Sequence, residues 1–318
     1  MNKKLRIFLF SSSNYTYYIL NFLIRNKNVK ISGICLDEAF LKSKKNLKSS
    51  IKNFLGKAGM DFKDDFFYKD PFTFEKRESR FLLKNLDNVI NYNKENLEDL
   101  ESNLIKIKPD IILVAGFFIL PEFIFQKSKI ISVNLHPSFL PEGRGPTPSK
   151  WIIYKKKSYT GISIHRVGKK IDEGDLFFKK KIYLNDNMNF EEVERLICGK
   201  IPEALSFLID STLQDKINPI CQAQTKSSYY PSFNKTNKQL IWSESFESIQ
   251  RKLNAMKPMT GLLSMFKNKR VCIWDVKKTE KKNIKNFGKI IDIDDEQKIL
   301  VCCKNQLLKI ESFLRYGK

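Results

Sequence analysis

The feature that most constrains this chain is a run of ten apolar residues, Ile111 to Leu120, which follows Lys108-Pro109-Asp110 and stops at Pro121. Its first four residues, Ile111 to Val114, present no polar side chain at all. A strand without a polar face has to be covered on both sides, the condition of a central strand in a parallel sheet. Leu5 to Phe10, Val29 to Leu36 and Ile131 to Leu135 are similar if less complete. Between the first two, Ser13 or Asn14 can cap a helix that carries Tyr17, Leu20, Phe22, Leu23 and Ile24. Strand, helix, strand at this point predicts an α/β fold with a mostly parallel sheet and helices on both faces. A bilayer span needs roughly twenty apolar residues, so no membrane partner is expected. Ile7 to Phe10 is also too short for a secretory leader, which needs about seven to fifteen.

Further along, Asn88 to Ile90 reads as a short strand and Asn93 to Lys106 as a helix with Leu97, Leu100 and Leu104 on one side. Pro121 to Ser128 is a short helix, and Thr160 to His165 and Leu176 to Ile182 are two more strands. One long helix is expected from Phe190 to Leu213, with Val193, Leu196, Ile197, Ile201, Ala204, Leu205 and Leu208 in its apolar stripe. Residues 37–85 are charged and aromatic, without a clear period. After about residue 215 the character changes. Asn218-Pro219 and Ser227 to Pro231 read as linker and Ser245 to Met256 as a helix. Short strands follow at Arg270 to Asp275, Lys289 to Ile293, Lys298 to Cys302 and Leu307 to Phe313, the pattern of a small β-barrel, with Trp242 and Trp274 in its core. Two domains are expected, 1–215 and 216–318.

Composition limits function less than it limits fold. The net charge is +22 over 318 residues, which suits an anionic partner: nucleic acid, a nucleotide-linked substrate or a polyglutamylated cofactor. Only ten of the 57 basic residues are Arg. Dedicated phosphate readers recruit more of that bidentate side chain, so AT-rich coding accounts for the charge equally well. The six cysteines form no C-x-x-C pair and the chain has two histidines. Free thiols in a reducing cytoplasm and no metal site are therefore expected.

Chemistry concentrates in Val133-Asn134-Leu135-His136-Pro137-Ser138-Phe139-Leu140-Pro141-Glu142-Gly143-Arg144-Gly145-Pro146. Asn134 and His136 sit two apart at the end of a strand and so share a face. The prolines and glycines that follow make a rigid irregular loop. Asp172 lies 36 residues beyond His136, between two expected strands. That spacing accommodates a crossover and one neighbouring strand, so Asp172 can meet His136 at the sheet edge. Taken singly, each residue has an ordinary structural reading. Together, an amide that donates to an oxyanion, an imidazole that moves a proton and a carboxylate that orients it suit acyl-type transfer. The G-x-S-x-G, P-loop and G-x-G-x-x-G patterns do not occur.

N-L-H-P-S-F-L-P-E-G-R-G, followed by T-G-I-S-I-H-R-V-G-K-K-I-D-E-G-D, resembles the folate-dependent formyltransferase family. The likeness is strong over residues 108–182. The resemblance implies a Rossmann-like catalytic domain with a small OB-like C-terminal barrel. It implies formyl transfer from 10-formyltetrahydrofolate to a primary amine, with no metal. By position it makes Asn134, His136 and Asp172 the catalytic trio. It places Ala115, Gly116, Phe117, Phe118 and Ile119, with Gly168, Ile171, Glu173 and Asp175, along the folate pocket. Ser138, Leu140, Pro141, Arg144, Gly145 and His165 become substrate-binding or loop-bracing residues. Members that formylate initiator methionyl-tRNA open with G-T-P-x-F-A, where this chain has Phe10-Ser11-Ser12-Ser13-Asn14-Tyr15. Their Gly/Arg-rich basic insert is replaced by Leu41 to Lys57, which has six Lys and no Arg. The expected acceptor is therefore a nucleotide-linked amino sugar. Methionyl-tRNA is the alternative, and a non-catalytic RNA- or folate-binding relative a second one.

Overall fold

The computed structural model describes residues 4–37, 71–92, 96–234, 236–266, 268–280, 286–293, 298–304 and 306–316. The Lys-rich stretch Leu41 to Lys57 lies outside them.

The chain opens with β1 (Leu5–Ser11), α1 (Tyr15–Arg25) and β2 (Val29–Asp37), then α2 (Thr73–Leu83), β3 (Val89–Tyr92) and α3 (Leu97–Ile107). It continues through β4 (Ile111–Ala115), α4 (Glu122–Phe125), β5 (Ile131–His136), α5 (Pro148–Tyr154), β6 (Tyr159–Arg166) and β7 (Leu176–Tyr183). The seven strands form one sheet in the order β3-β2-β1-β4-β5-β6-β7. The first five run parallel, and β6 and β7 join as antiparallel strands. Strand alternation fills both faces. In β1, Ile7 and Leu9 enter one core and Phe8 and Phe10 the other; in β4, Ile111 and Leu113 oppose Ile112 and Val114 in the same way. The expectation of a doubly covered, mostly parallel sheet is met.

Chain order reverses between β1 and β4, where Ser11 pairs with Ala115 and its Oγ donates to the Ala115 carbonyl at 2.9 Å. Such a switch point, at the carboxyl ends of the strands, leaves a crevice. All of the site described below lies around it.

The single helix expected over Phe190 to Leu213 is two, α6 (Phe190–Cys198) and α7 (Ile201–Leu213). The chain breaks at Gly199-Lys200, and Pro202 sits in the first turn of α7, where its missing N–H is harmless. A capping box between Asn189 and Glu192 starts α6. Beyond these, α8 (Phe246–Met256) precedes a second, antiparallel sheet of β8 (Leu262–Phe266), β9 (Lys269–Lys278), β10 (Ile290–Ile293), β11 (Ile299–Cys302) and β12 (Leu307–Tyr316). Its order is β10-β11-β12-β9-β8. It is the small β-rich unit expected from the sequence, with β8 added. Among the described residues no helix is long and apolar enough to cross a membrane.

Candidate active site

β5 carries Asn134 and His136 on one face, and its antiparallel partner β6 places His165 directly opposite Asn134. Directly opposed residues share a face and touch: Asn134 Nδ2 lies 3.1 Å from His165 Nε2. Asp172 arrives from the β6–β7 loop with a left-handed backbone, φ 54°, a conformation Asp tolerates better than most residues. Its Oδ1 accepts from Asn134 Nδ2 at 3.3 Å and lies 3.3 Å from His165 Nε2. Its Oδ2 accepts from the Gly145 N–H at 2.8 Å and faces His136 Nδ1 at 3.7 Å. The trio predicted from the sequence therefore converges, with His165 as a fourth member.

The loop after β5 is held from several sides. Ser163 Oγ donates to the Ser138 carbonyl at 2.7 Å and accepts from the Leu140 N–H at 3.1 Å. Gly145 has φ 102°, and a Cβ there would stand 2.3 Å from the Tyr230 carbonyl oxygen. Only glycine fits this backbone and this approach.

The electrostatics follow from burial. His136 Nε2–H donates to the Gly143 carbonyl at 2.9 Å, which leaves Nδ1 as the basic nitrogen on the Asp172 side. Burial lowers the His136 pKa below its ordinary value; Asp172 and the Gly143 carbonyl oppose the shift, and His165 adds to it. The resting ring is thus neutral near pH 7 and ready to take a proton. Burial disfavours the Asp172 carboxylate, but His136, His165 and the Gly145 N–H outweigh it and hold the carboxyl well below the usual range.

These groups open onto a cleft of about 630 Å³. One side is apolar and aromatic: Val114, Gly116 to Leu120 and Val167. Phe118 stacks on Tyr92 with ring centroids 5.3 Å apart, and Phe117 packs edge-on against Phe10 at 5.5 Å. Ser12 to Tyr15, Phe72, Lys76, Lys150, Phe190, Glu194 and Tyr229 also line the cleft.

Two family models match the chain, "Formyl transferase" over residues 68–206 and "Formyl transferase, C-terminal domain" over 233–318. The methionyl-tRNA formyltransferase of Caldicellulosiruptor saccharolyticus is 30% identical over 217 residues, 67% of this chain and 68% of the relative. The chain belongs to the folate-dependent formyltransferase family. Among solved structures, HypX from Aquifex aeolicus in complex with tetrahydrofolic acid shares the fold at TM-score 0.60 and 15% identity, over 98% of this chain and 44% of that one. WlaRD, a sugar 3N-formyl transferase solved with dTDP and 5-N-formyl-THF, does so at TM-score 0.57 and 13% identity, over 98% and 97%.

As a formyltransferase the chain uses a folate donor, and the apolar wall offers a flat heterocycle the aromatic surface it needs. Gly116, Phe117, Phe118, Ile119, Gly168 and Ile171 line the cleft. The Ala115 side chain is instead buried in the core, Asp175 faces Arg166 and Glu173 turns to Arg144. Ser138, Leu140, Pro141 and Arg144 brace the loop away from the cleft, whereas Gly145 and His165 line it. No group of three or more His, Cys, Asp or Glu among the described residues is placed to hold a metal ion.

Sequence reasoning missed Glu194 and Lys150. The buried Glu194 carboxylate accepts from Tyr15 Oη at 2.7 Å and Asn14 Nδ2 at 3.0 Å, tying α6 to the start of α1. Lys150 lies 5.0 Å over the Phe190 ring. Burial lowers its ammonium to about 8, with Lys238 adding to the shift and Glu194 opposing it. Helical spacing on an amphipathic α6 gives Glu194 no signal beyond that of a surface carboxylate.

Proposed function

We propose that this formyltransferase transfers the formyl group of 10-formyltetrahydrofolate to the primary amine of a nucleotide-linked amino sugar. The observation that carries the reaction is the convergence of Asn134, His136 and Asp172 on one cleft lined by aromatic rings and lysines. The donor supplies a formyl carbon open to amine attack and a nitrogen that leaves once protonated. His136 Nδ1 takes the amine proton, Asp172 stabilises the imidazolium that forms, and the imidazolium returns that proton to the leaving nitrogen as its bond to the formyl carbon breaks. Asn134 donates to the oxygen that gains charge. Both of its amide hydrogens are engaged by His165 and Asp172 in this structure, so donation exchanges one of those bonds for one to the oxyanion.

Support for the acceptor comes from other residues that line the cleft. Phe72, Phe190 and Tyr229 offer ring surfaces, and Lys76 and Lys150 offer cations. Rings and cations together suit a nucleoside diphosphate. A second reading, methionyl-tRNA as acceptor, is favoured by the Caldicellulosiruptor relative and by the matching C-terminal family model.

The test is release of tetrahydrofolate from 10-formyltetrahydrofolate with a panel of nucleotide-linked amino sugars and with methionyl-tRNA, each across a salt series. Turnover with a sugar and a shallow salt dependence is expected. Turnover with tRNA alone, falling steeply with salt as many phosphate contacts are screened, establishes the second reading. No transfer to any amine by protein that binds the folate leaves a binding relative.

A further inference from the structure

We propose that Gln222, in the segment between the two sheets, is a positioning residue of the active site: its amide holds the Asp172 backbone so that the carboxylate faces His136. The proposal rests on the reading that Asp172 serves formyl transfer.

Sequence patterning treats this segment as linker, yet residues 220–231 lie against the site as a strap. Ile220 exchanges two backbone hydrogen bonds with Leu176, both 2.8 Å. Arg144 N–H donates to the Ser228 carbonyl at 2.9 Å, and Tyr230 N–H to the Arg144 carbonyl at 2.7 Å. Ser228 Oγ accepts from the Gly143 N–H at 2.9 Å. Between these anchors stands Gln222, 3% exposed. Nε2 donates to the Asp172 carbonyl at 2.9 Å and to the Gly174 carbonyl at 2.7 Å. Oε1 accepts from Arg144 Nε at 3.2 Å and Nη2 at 2.9 Å. A glutamine side chain has two amide hydrogens and two carbonyl lone pairs, and all four are used. Arg144 Nη1 is fixed in turn by Gln224 Oε1 at 3.1 Å and lies 3.5 Å from Glu173.

The placement matters because Asp172 is the residue of the trio least held by regular structure. Asn134 and His136 are on β5, whereas Asp172 sits in a loop with φ 54°. Its carboxylate accepts from Gly145 and Asn134 and lies beside His165, but its backbone in the turn needs a separate anchor. Gln222 supplies one to Asp172 and one to Gly174, on either side of Glu173. A linker glutamine with only a packing role has no reason to divide its amide between these two carbonyls.

The chain has only two histidines, so imidazole ¹H–¹⁵N spectra of the full chain report the site directly and need no acceptor. The groups facing His136 are Asp172, His165 and the Gly143 carbonyl. Asp172 favours protonation of His136, so Asp172→Asn moves the His136 titration to lower pH. Gln222→Met keeps the length and removes every donor. It is expected to move the His136 titration in the same direction by about half a pH unit or more, and to lower kcat about tenfold or more with KM for 10-formyltetrahydrofolate unchanged. Arg144→Met, which leaves the Gln222 amide in place without its brace, is expected to give a smaller shift and stands in should Gln222→Met not fold. A folded variant whose His136 titrates as in the wild type, while Asp172→Asn shifts, overturns the proposal. Full formyl transfer by Asp172→Asn overturns the reading of the reaction instead, and leaves the positioning question to the spectra.

Discussion

Two segments grip the loop that bears Asp172, and they have opposite sequence characters. The loop after β5, Pro137 to Pro146, is dense in proline and glycine and announces a fixed backbone. The strap from Ile220 to Pro231 is polar, without period, and reads as a connection. In the structure both make hydrogen bonds to the same turn, the first through the Gly145 N–H and the second through Gln222. Backbone rigidity is written locally and can be read residue by residue. A long-range side-chain brace is written in one residue, whose partners lie dozens of positions away.

The sharpest way to separate chemistry from support is His136→Ala. It should lose about 10²- to 10⁴-fold in kcat and about 1 kcal/mol of stability, since the Gly143 carbonyl then lacks its donor. Rate assays and thermal unfolding of the same preparation check both; an equal loss in both measurements would make His136 a structural residue. Gly145→Ala should break the junction of the two segments. The added Cβ meets the Tyr230 carbonyl, and the backbone at φ 102° resists a side chain. A cost of about 1–3 kcal/mol and about a tenfold fall in kcat are expected, measured by urea unfolding and initial rates. The smallest effect belongs to Lys150, in the lining of the cleft. Lys150→Met should raise KM for a phosphate-bearing acceptor about tenfold and leave KM for the folate unchanged. Lys150 is protonated below about 8, so the wild-type acceptor KM should rise as pH passes that value and that of the variant should not. A flat KM profile for the wild type would remove Lys150 from the acceptor site.

Much of the fold was legible because β1 and β4 show apolar residues on both faces, which only a covered parallel sheet explains. Asn134 and His136 were legible because strand period places them together. The break between α6 and α7 was hidden, since the apolar stripe runs on across Gly199-Lys200 without a change of phase. The seven-residue α5 is too short to show a period. The contact of His165 with Asn134 was hidden because the pairing of β5 with β6 sets it, and register between strands leaves no mark in either one. Lys150 follows Pro148 and Ser149 in a turn-like stretch, so nothing signalled that its cation would line the cleft.

The strap also sets an order of events during synthesis. The ribosome delivers every strand of the large sheet, and all of the trio, by residue 183. The amide that ties down Asp172 comes out about forty residues later, a stretch comparable to the length of the exit tunnel. When the last strand of that sheet clears the ribosome, Gln222 is therefore still inside the tunnel and cannot yet reach Asp172. On the role proposed for Gln222, the site is fully aligned only after the connection to the second sheet has emerged.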